Sequence, residues 1–222
     1  MTPDDPRART AALMRELGHD FVAHDLDEEQ LSVVAETVRG LSQMVRRGAT
    51  RDRRARGDTG DYRRAVADAS PGATHHQLLS DSIVSGGANP MGLGAELWRE
   101  GDDACMRVTL GRAFEGAPAR AHGGVIAALL DETMGLVNAM DGVPAYTVQL
   151  DITYLAPTPI DEPVTARAHA SSREGRKITV EGEVRAGALV LARATGLFIA
   201  VDPQRFLTPE ATAAGDHAGV PK

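Results

Sequence analysis

HGGVIAALLDETMGLVNAM, residues 122–140, is the stretch from which the rest of the chain is read. It opens on two glycines and continues as a dense run of Val, Ile, Ala, Leu and Met. The apolar residues fall on several helical faces, so this helix is expected at the centre of a fold rather than on its surface. Two adjacent carboxylates, Asp131 and Glu132, interrupt it. A buried carboxylate is costly unless it is paired or used in chemistry. Val125, Ala128, Leu129 and Glu132 form one row; Ala127, Leu130, Asp131 and Met134 form another. Periodicity does not choose between them. At the junction His122-Gly123-Gly124, the first backbone N–H groups of the helix have no internal partner and stand at the positive end of its dipole. Glycine admits close approach of a ligand, so Gly123 and Gly124 are candidate oxyanion donors. A tight helix start accounts for the same dipeptide.

Working outward, residues 95–100 and 104–110 read as two short strands before the helix, and 145–154, 162–172, 177–185 and 188–201 as four after it. Residues 145–154 alternate Val148, Leu150, Ile152 and Tyr154 against Thr147, Gln149, Asp151 and Thr153, the period of a strand with one buried face. The last segment is long and apolar, as a central strand is. The turns 101–103, 157–161, 173–176 and 186–187 are short and imply antiparallel hairpins. The expectation is an α+β layer design of about six strands and one helix, spanning 80–202. It would be preceded by a helical, Arg-rich extension, 1–79, and followed by a tail, 203–222. In the extension, Leu31, Val34, Val38, Leu41 and Val45 form a stripe over a helix at 28–47 with Asp27 as N-cap, and 7–17 suits a shorter helix. Eight arginines crowd residues 46–64, read as a solvated linker or as a docking patch for an anionic partner or a phosphate group. The Gly-, Asn- and Pro-containing residues 85–94 read as a second linker.

Composition narrows the function. The 222 residues carry a net charge of −7 and only 4% aromatics. That disfavours a nucleic-acid partner, which wants a basic face and stacking rings. No apolar run approaches the roughly 20 residues of a membrane span, the start MTPDDPRART has no signal-peptide pattern, and a lone cysteine, Cys105, points to a reducing cytoplasm. Cys105, His169, Trp98 and the pair His75-His76 take structural or surface readings. Ser80 and Ser85 lack a nucleophile elbow.

The run HGGVIAALLDETMG resembles the active-site helix of hotdog-fold acyl-CoA thioesterases, nearest to the phenylacetate-pathway type and the mammalian long-chain type. FEGAPAR before it, TVQLDITYLAPTPI after it, the REGRK turn at 173–177 and GGANPMGL at 86–93 share the likeness. The resemblance implies a sheet wrapped around one long helix, and an acyl-CoA hydrolase needing no metal or redox cofactor. It implies that Asp131, nine residues after His122, is the catalytic carboxylate. It further implies Gly123 as backbone donor to the thioester oxygen, His122 as the group orienting or polarising the thioester, and Thr147 as a hydroxyl holding the attacking water. Arg173, Arg176 and Lys177 would meet the CoA nucleotide, unless they are only a solvated hairpin tip. Relatives pair as homodimers and often form homotetramers. The rival readings are a hotdog dehydratase or hydratase and a non-catalytic acyl-CoA binder or sensor.

Helix geometry adds a point of its own. Gly123 and Asp131 are eight residues apart, roughly 12 Å along the axis. A base and an oxyanion donor serving one carbonyl must both lie within about 3–4 Å of it. One helix does not supply both, whereas a two-fold dimer does.

Overall fold

A computed structural model describes residues 5–51 and 80–202. Helices α1 (Pro6–Ala23) and α2 (Glu28–Arg46) precede strands β1 (Glu96–Glu100) and β2 (Asp103–Thr109); α3 (Gly123–Met140) follows, and then β3 (Ala145–Tyr154), β4 (Pro163–Glu174), β5 (Lys177–Ala186) and β6 (Leu189–Ala200). The strands form one antiparallel sheet in the order β1-β2-β4-β5-β6-β3. This is the hotdog arrangement, a sheet curved around the single long helix α3.

Helix α3 is central because its own residues leave it no alternative. Ile126, Leu129, Leu130, Met134, Leu136 and Val137 are all buried, and each large side chain removed from water contributes about 1.5–3 kcal/mol. They meet Val164, Ala166, Val180, Val184, Ala192 and Phe198 on the inner face of the sheet. Two strand glycines set the distance between the layers. A Cβ on Gly196 would stand 2.8 Å from Met134 Cε, and one on Gly182 would stand 3.2 Å from Met134 Cγ. Strand β6 lies between β5 and β3, as its apolar length suggests.

The sheet departs from expectation in two places. First, β3 and β4 are not a hairpin: β3 pairs only with β6, and β4 lies between β2 and β5. The connection runs past the loop that leads into α3, where Ala121 N donates to Thr158 O (2.9 Å) and Asp161 N to Leu110 O (2.7 Å). A short connection restricts its strands to nearby positions without forcing them to be neighbours. Second, the clean alternation of β3 is broken. Thr147 pairs with Phe198 and Gln149 with Leu197, so Val148 is an extra residue, a β-bulge. The bulge reverses parity: Thr147 joins Leu150 and Ile152 on the face turned to α3, and Val148 is left exposed.

The N-terminal helices are longer or better capped than their sequence patterns promise. The α1 helix starts at Pro6 with Asp5 accepting from Arg7 N, and runs well beyond 17. The α2 helix opens with a full capping box, Asp27 and Gln30, and buries none of its residues. The α1 helix docks through Arg15, whose Nη1 donates to Asn89 O (2.7 Å), and through His19, set edge-on to Phe114 at 5.1 Å. Residues 85–94 are not a linker. Val84, Ser85 and Ala88 are buried, and Asn89 Nδ2 donates to Asp81 O and Ser82 O. Of the Arg-rich run, Arg51 pairs with Asp81 at 2.9 Å. Arg53, Arg54, Arg56, Arg63 and Arg64, with His75-His76 and the tail, lie outside the described residues.

Candidate active site

The site is built on the face of α3 that looks toward the edge strand β3. His122 is the N-cap of α3, and its Nδ1 accepts from Gly124 N at 3.0 Å. That bond occupies Gly124, leaving Gly123 N–H as the junction donor with no partner among the described residues. The lead-in loop is held tightly. His122 N donates to Phe114 O (2.8 Å), and a Cβ on Gly116 would stand 2.9 Å from His122 Cα. His19 reaches across from α1, its Nδ1 accepting from Ala113 N at 3.1 Å. Helix α1 thereby buttresses the loop that positions His122.

The structure separates the two carboxylates that periodicity leaves equivalent. Glu132 faces the 80–95 segment. It accepts from Ser85 N at 3.0 Å and from the hydroxyls of Ser82 and Ser85, so both of its oxygens are occupied. Asp131 is half-buried on the other side of the helix and accepts one hydrogen bond, from Thr147 Oγ1 at 2.8 Å. The bulge at Val148 makes that contact possible, since an unbroken strand would aim Thr147 away from the helix. Strand β3 also reaches the other end of the site, where Tyr154 Oη donates to Gly123 O at 2.9 Å.

The expected residues therefore gather in three places along α3. His122 and Gly123 stand at its N-terminus and Asp131 with Thr147 at its middle. The hairpin of Arg173, Arg176 and Lys177 lies toward its C-terminus, where Arg173 meets Asp141 at 3.6 Å. Arg176 Nε donates to Ala200 O at 3.0 Å, and Lys177 is exposed. The single chain does not bring all three groups together.

Other candidates take their quiet readings. Burial pushes the Cys105 thiol up to about 11, so it is no ready nucleophile. His169, expected half-buried or at an interface, is exposed in the single chain. No cluster of metal-ligating side chains occurs among the described residues, and none of their helices is long and apolar enough to cross a membrane. Sequence reasoning missed Ser82, Tyr154, Arg15 and His19, and weighed Ser85 only as a nucleophile. Only Tyr154 left a signal, as the last member of the β3 apolar row.

Comparison with known proteins sets the chain beside thioesterases. Residues 119–192 match the family described as Thioesterase superfamily. The acyl-coenzyme A thioesterase THEM4 of Mus musculus is 36% identical over 100 residues, 44% of this chain and 43% of the relative. THEM4 of Rattus norvegicus is 33% identical over the same length. The match thus spans less than half the length of these curated relatives. The crystal structure of protein RHA08564, described as a thioesterase superfamily protein, superposes with a TM-score of 0.73 at 28% identity. It covers 88% of this chain and 91% of its own.

Proposed function

We propose that this chain, with the thioesterase-superfamily pattern over residues 119–192, hydrolyses acyl-CoA thioesters to a carboxylic acid and CoA, in sites shared across a homodimer. The observation that carries the reading is the Asp131–Thr147 pair: of two adjacent carboxylates in a buried helix, one is saturated by Ser82 and Ser85 and the other keeps an oxygen free beside a hydroxyl. Thr147 donates to Asp131 Oδ1, which leaves Oδ2 to receive a proton and the threonine lone pairs to help hold a water. The water attacks the thioester carbon as Asp131 takes its proton. The oxyanion forms against the Gly123 N–H at the positive end of α3. His122 polarises or orients the thioester from beside it. Collapse breaks the C–S bond, and the CoA sulfur leaves with the proton. Direct attack by Asp131, giving a mixed anhydride that water then opens, uses the same residues.

Spacing and the sheet edge support the dimer. Gly123 and Asp131 are held apart on one helix, and the residues that grip them, Tyr154 and Thr147, are seven apart on β3. Strand β3 is an edge strand that leaves Tyr146, Val148 and Tyr154 exposed, a surface natural sheets cover. We place Gly123 of one protomer opposite Asp131 of its partner. Arg173, Arg176 and Lys177 serve the CoA phosphates, and the lone buried Cys105 suits a reducing cytoplasm. Sedimentation separates the dimer from a tetramer built of two such pairs.

The test is a hydrolysis screen from acetyl-CoA to palmitoyl-CoA with aryl-CoAs included, reading free thiol. Turnover of at least one member supports the reading; tight binding without any turnover makes the chain a binder instead. Mixing Asp131→Asn protomers with Gly123→Pro protomers, which lack the N–H, restores activity in heterodimers if the site is shared. No recovery in confirmed heterodimers of folded protomers refutes the sharing.

A further inference from the structure

We propose that Tyr154 is a positioning residue for His122: through the Gly123–Gly124 peptide, its hydroxyl fixes the imidazole in the tautomer that carries its proton on Nε2. The inference rests on the thioester-hydrolase reading for its consequence, though not for its geometry. Three groups form a continuous chain. Tyr154 Oη donates to the Gly123 carbonyl at 2.9 Å. The N–H of that same peptide group belongs to Gly124, and it donates to His122 Nδ1 at 3.0 Å. A carbonyl that accepts a hydrogen bond polarises its amide, so its N–H becomes a stronger donor. A ring nitrogen that accepts a hydrogen bond cannot also hold the proton, so the neutral imidazole carries it on Nε2.

The consequence is chemical. With the proton on Nε2, the exposed ring offers substrate an N–H donor. In the other tautomer it would offer a lone pair, which repels a thioester oxygen gaining negative charge. No proton changes hands: Tyr154 biases which nitrogen is protonated and holds the ring still. The Tyr154 ring packs directly on residue 123. A Cβ there would stand 3.4 Å from Tyr154 Cζ and Oη, so the ring lies flush against the first turn of the helix. Because Thr147 and Tyr154 belong to one strand, β3 sets both the carboxylate and the donor end of the site.

The experiment uses the full-length protein as wild type, Tyr154→Phe, His122→Ala and the double variant. Phenylalanine keeps the ring packing and removes the donor alone. Tyr154→Phe is expected to lower kcat about 5- to 10-fold with KM unchanged, the scale of one hydrogen bond. In the His122→Ala background the same change should cost less than about 2-fold, the sign of residues that act as a unit. Independently of turnover, 15N NMR of histidine-labelled wild type should show the neutral His122 ring protonated at Nε2, and Tyr154→Phe should mix in the Nδ1–H form. A wild-type ring protonated at Nδ1 overturns the proposal whatever the variants do. So does wild-type kcat in Tyr154→Phe, or an undiminished loss in the His122→Ala background. Failure of the hydrolase reading is a separate result: wild type turns over no acyl-CoA, while the tautomer measurement still decides the positioning.

Discussion

Replacing Glu132 by alanine should damage stability far more than replacing its neighbour Asp131 by asparagine. Glu132 accepts from Ser82 Oγ, Ser85 Oγ and Ser85 N. Ser82 is 9% exposed and Ser85 4%. Removing the carboxylate leaves two hydroxyls and an amide with no acceptor in a place water barely reaches. Each stranded group costs about 1–3 kcal/mol, and water entering the new space offsets part of it. A net loss of about 3 kcal/mol follows, which for a chain of this size lowers Tm by about 6–12 °C. Asp131→Asn keeps an oxygen to accept from Thr147 and should cost less than about 1 kcal/mol. Thermal and urea unfolding of both variants beside wild type measure the difference. The reasoning fails if Glu132→Ala melts within 2 °C of wild type, or if Asp131→Asn is the less stable of the two.

Further predictions concern chemistry, substrate binding and pH. Thr147→Val preserves shape and removes the donor to Asp131. A bond to an ionised carboxylate is worth about 1.5–3 kcal/mol, so steady-state kinetics should show kcat reduced about 10- to 100-fold. Lys177→Ala should raise KM for acyl-CoA about 2- to 5-fold at low salt and leave a pantetheine thioester unaffected; an equal effect on both places the CoA phosphates elsewhere. Burial raises the Cys105 thiol from 9.0 to about 11, so between these values the folded state binds more protons than the unfolded one. Stability therefore falls as pH rises from about 9 through about 11. Urea titrations should find that slope shallower in Cys105→Ser, because a serine hydroxyl does not titrate there.

The helix at 123–140 and the β3 strand were legible to the residue, because a dense apolar run and a strict alternation are local signals. Their placement was less so. The alternation of β3 put Thr147 on the outer face, and only the bulge at Val148, set by pairing with β6, turned it toward Asp131. The choice between Asp131 and Glu132 was open to periodicity because adjacent helical residues differ by a rotation that an all-round apolar helix does not resolve. The structure tells them apart by their partners: Ser82 and Ser85, some fifty residues away in sequence, bond Glu132 and not Asp131. The β3–β4 connection read as a hairpin because its turn residues are real; what they make is a crossing pinned to Leu110 and Ala121. Residues 85–94 read as a linker because Gly, Asn and Pro mark loops whether those loops are exposed or, as here, packed and hydrogen-bonded.

The central claim is that Asp131 carries the chemistry, and one comparison tests it most directly: thiol release from the preferred acyl-CoA by wild type and by Asp131→Asn, at saturating substrate and with folding verified. The account predicts a loss of kcat of at least about 10²-fold, the scale of a removed general base, in a protein that melts close to wild type. A folded Asp131→Asn variant turning over within about 3-fold of wild type, on the scale that a lost base sets, would contradict it.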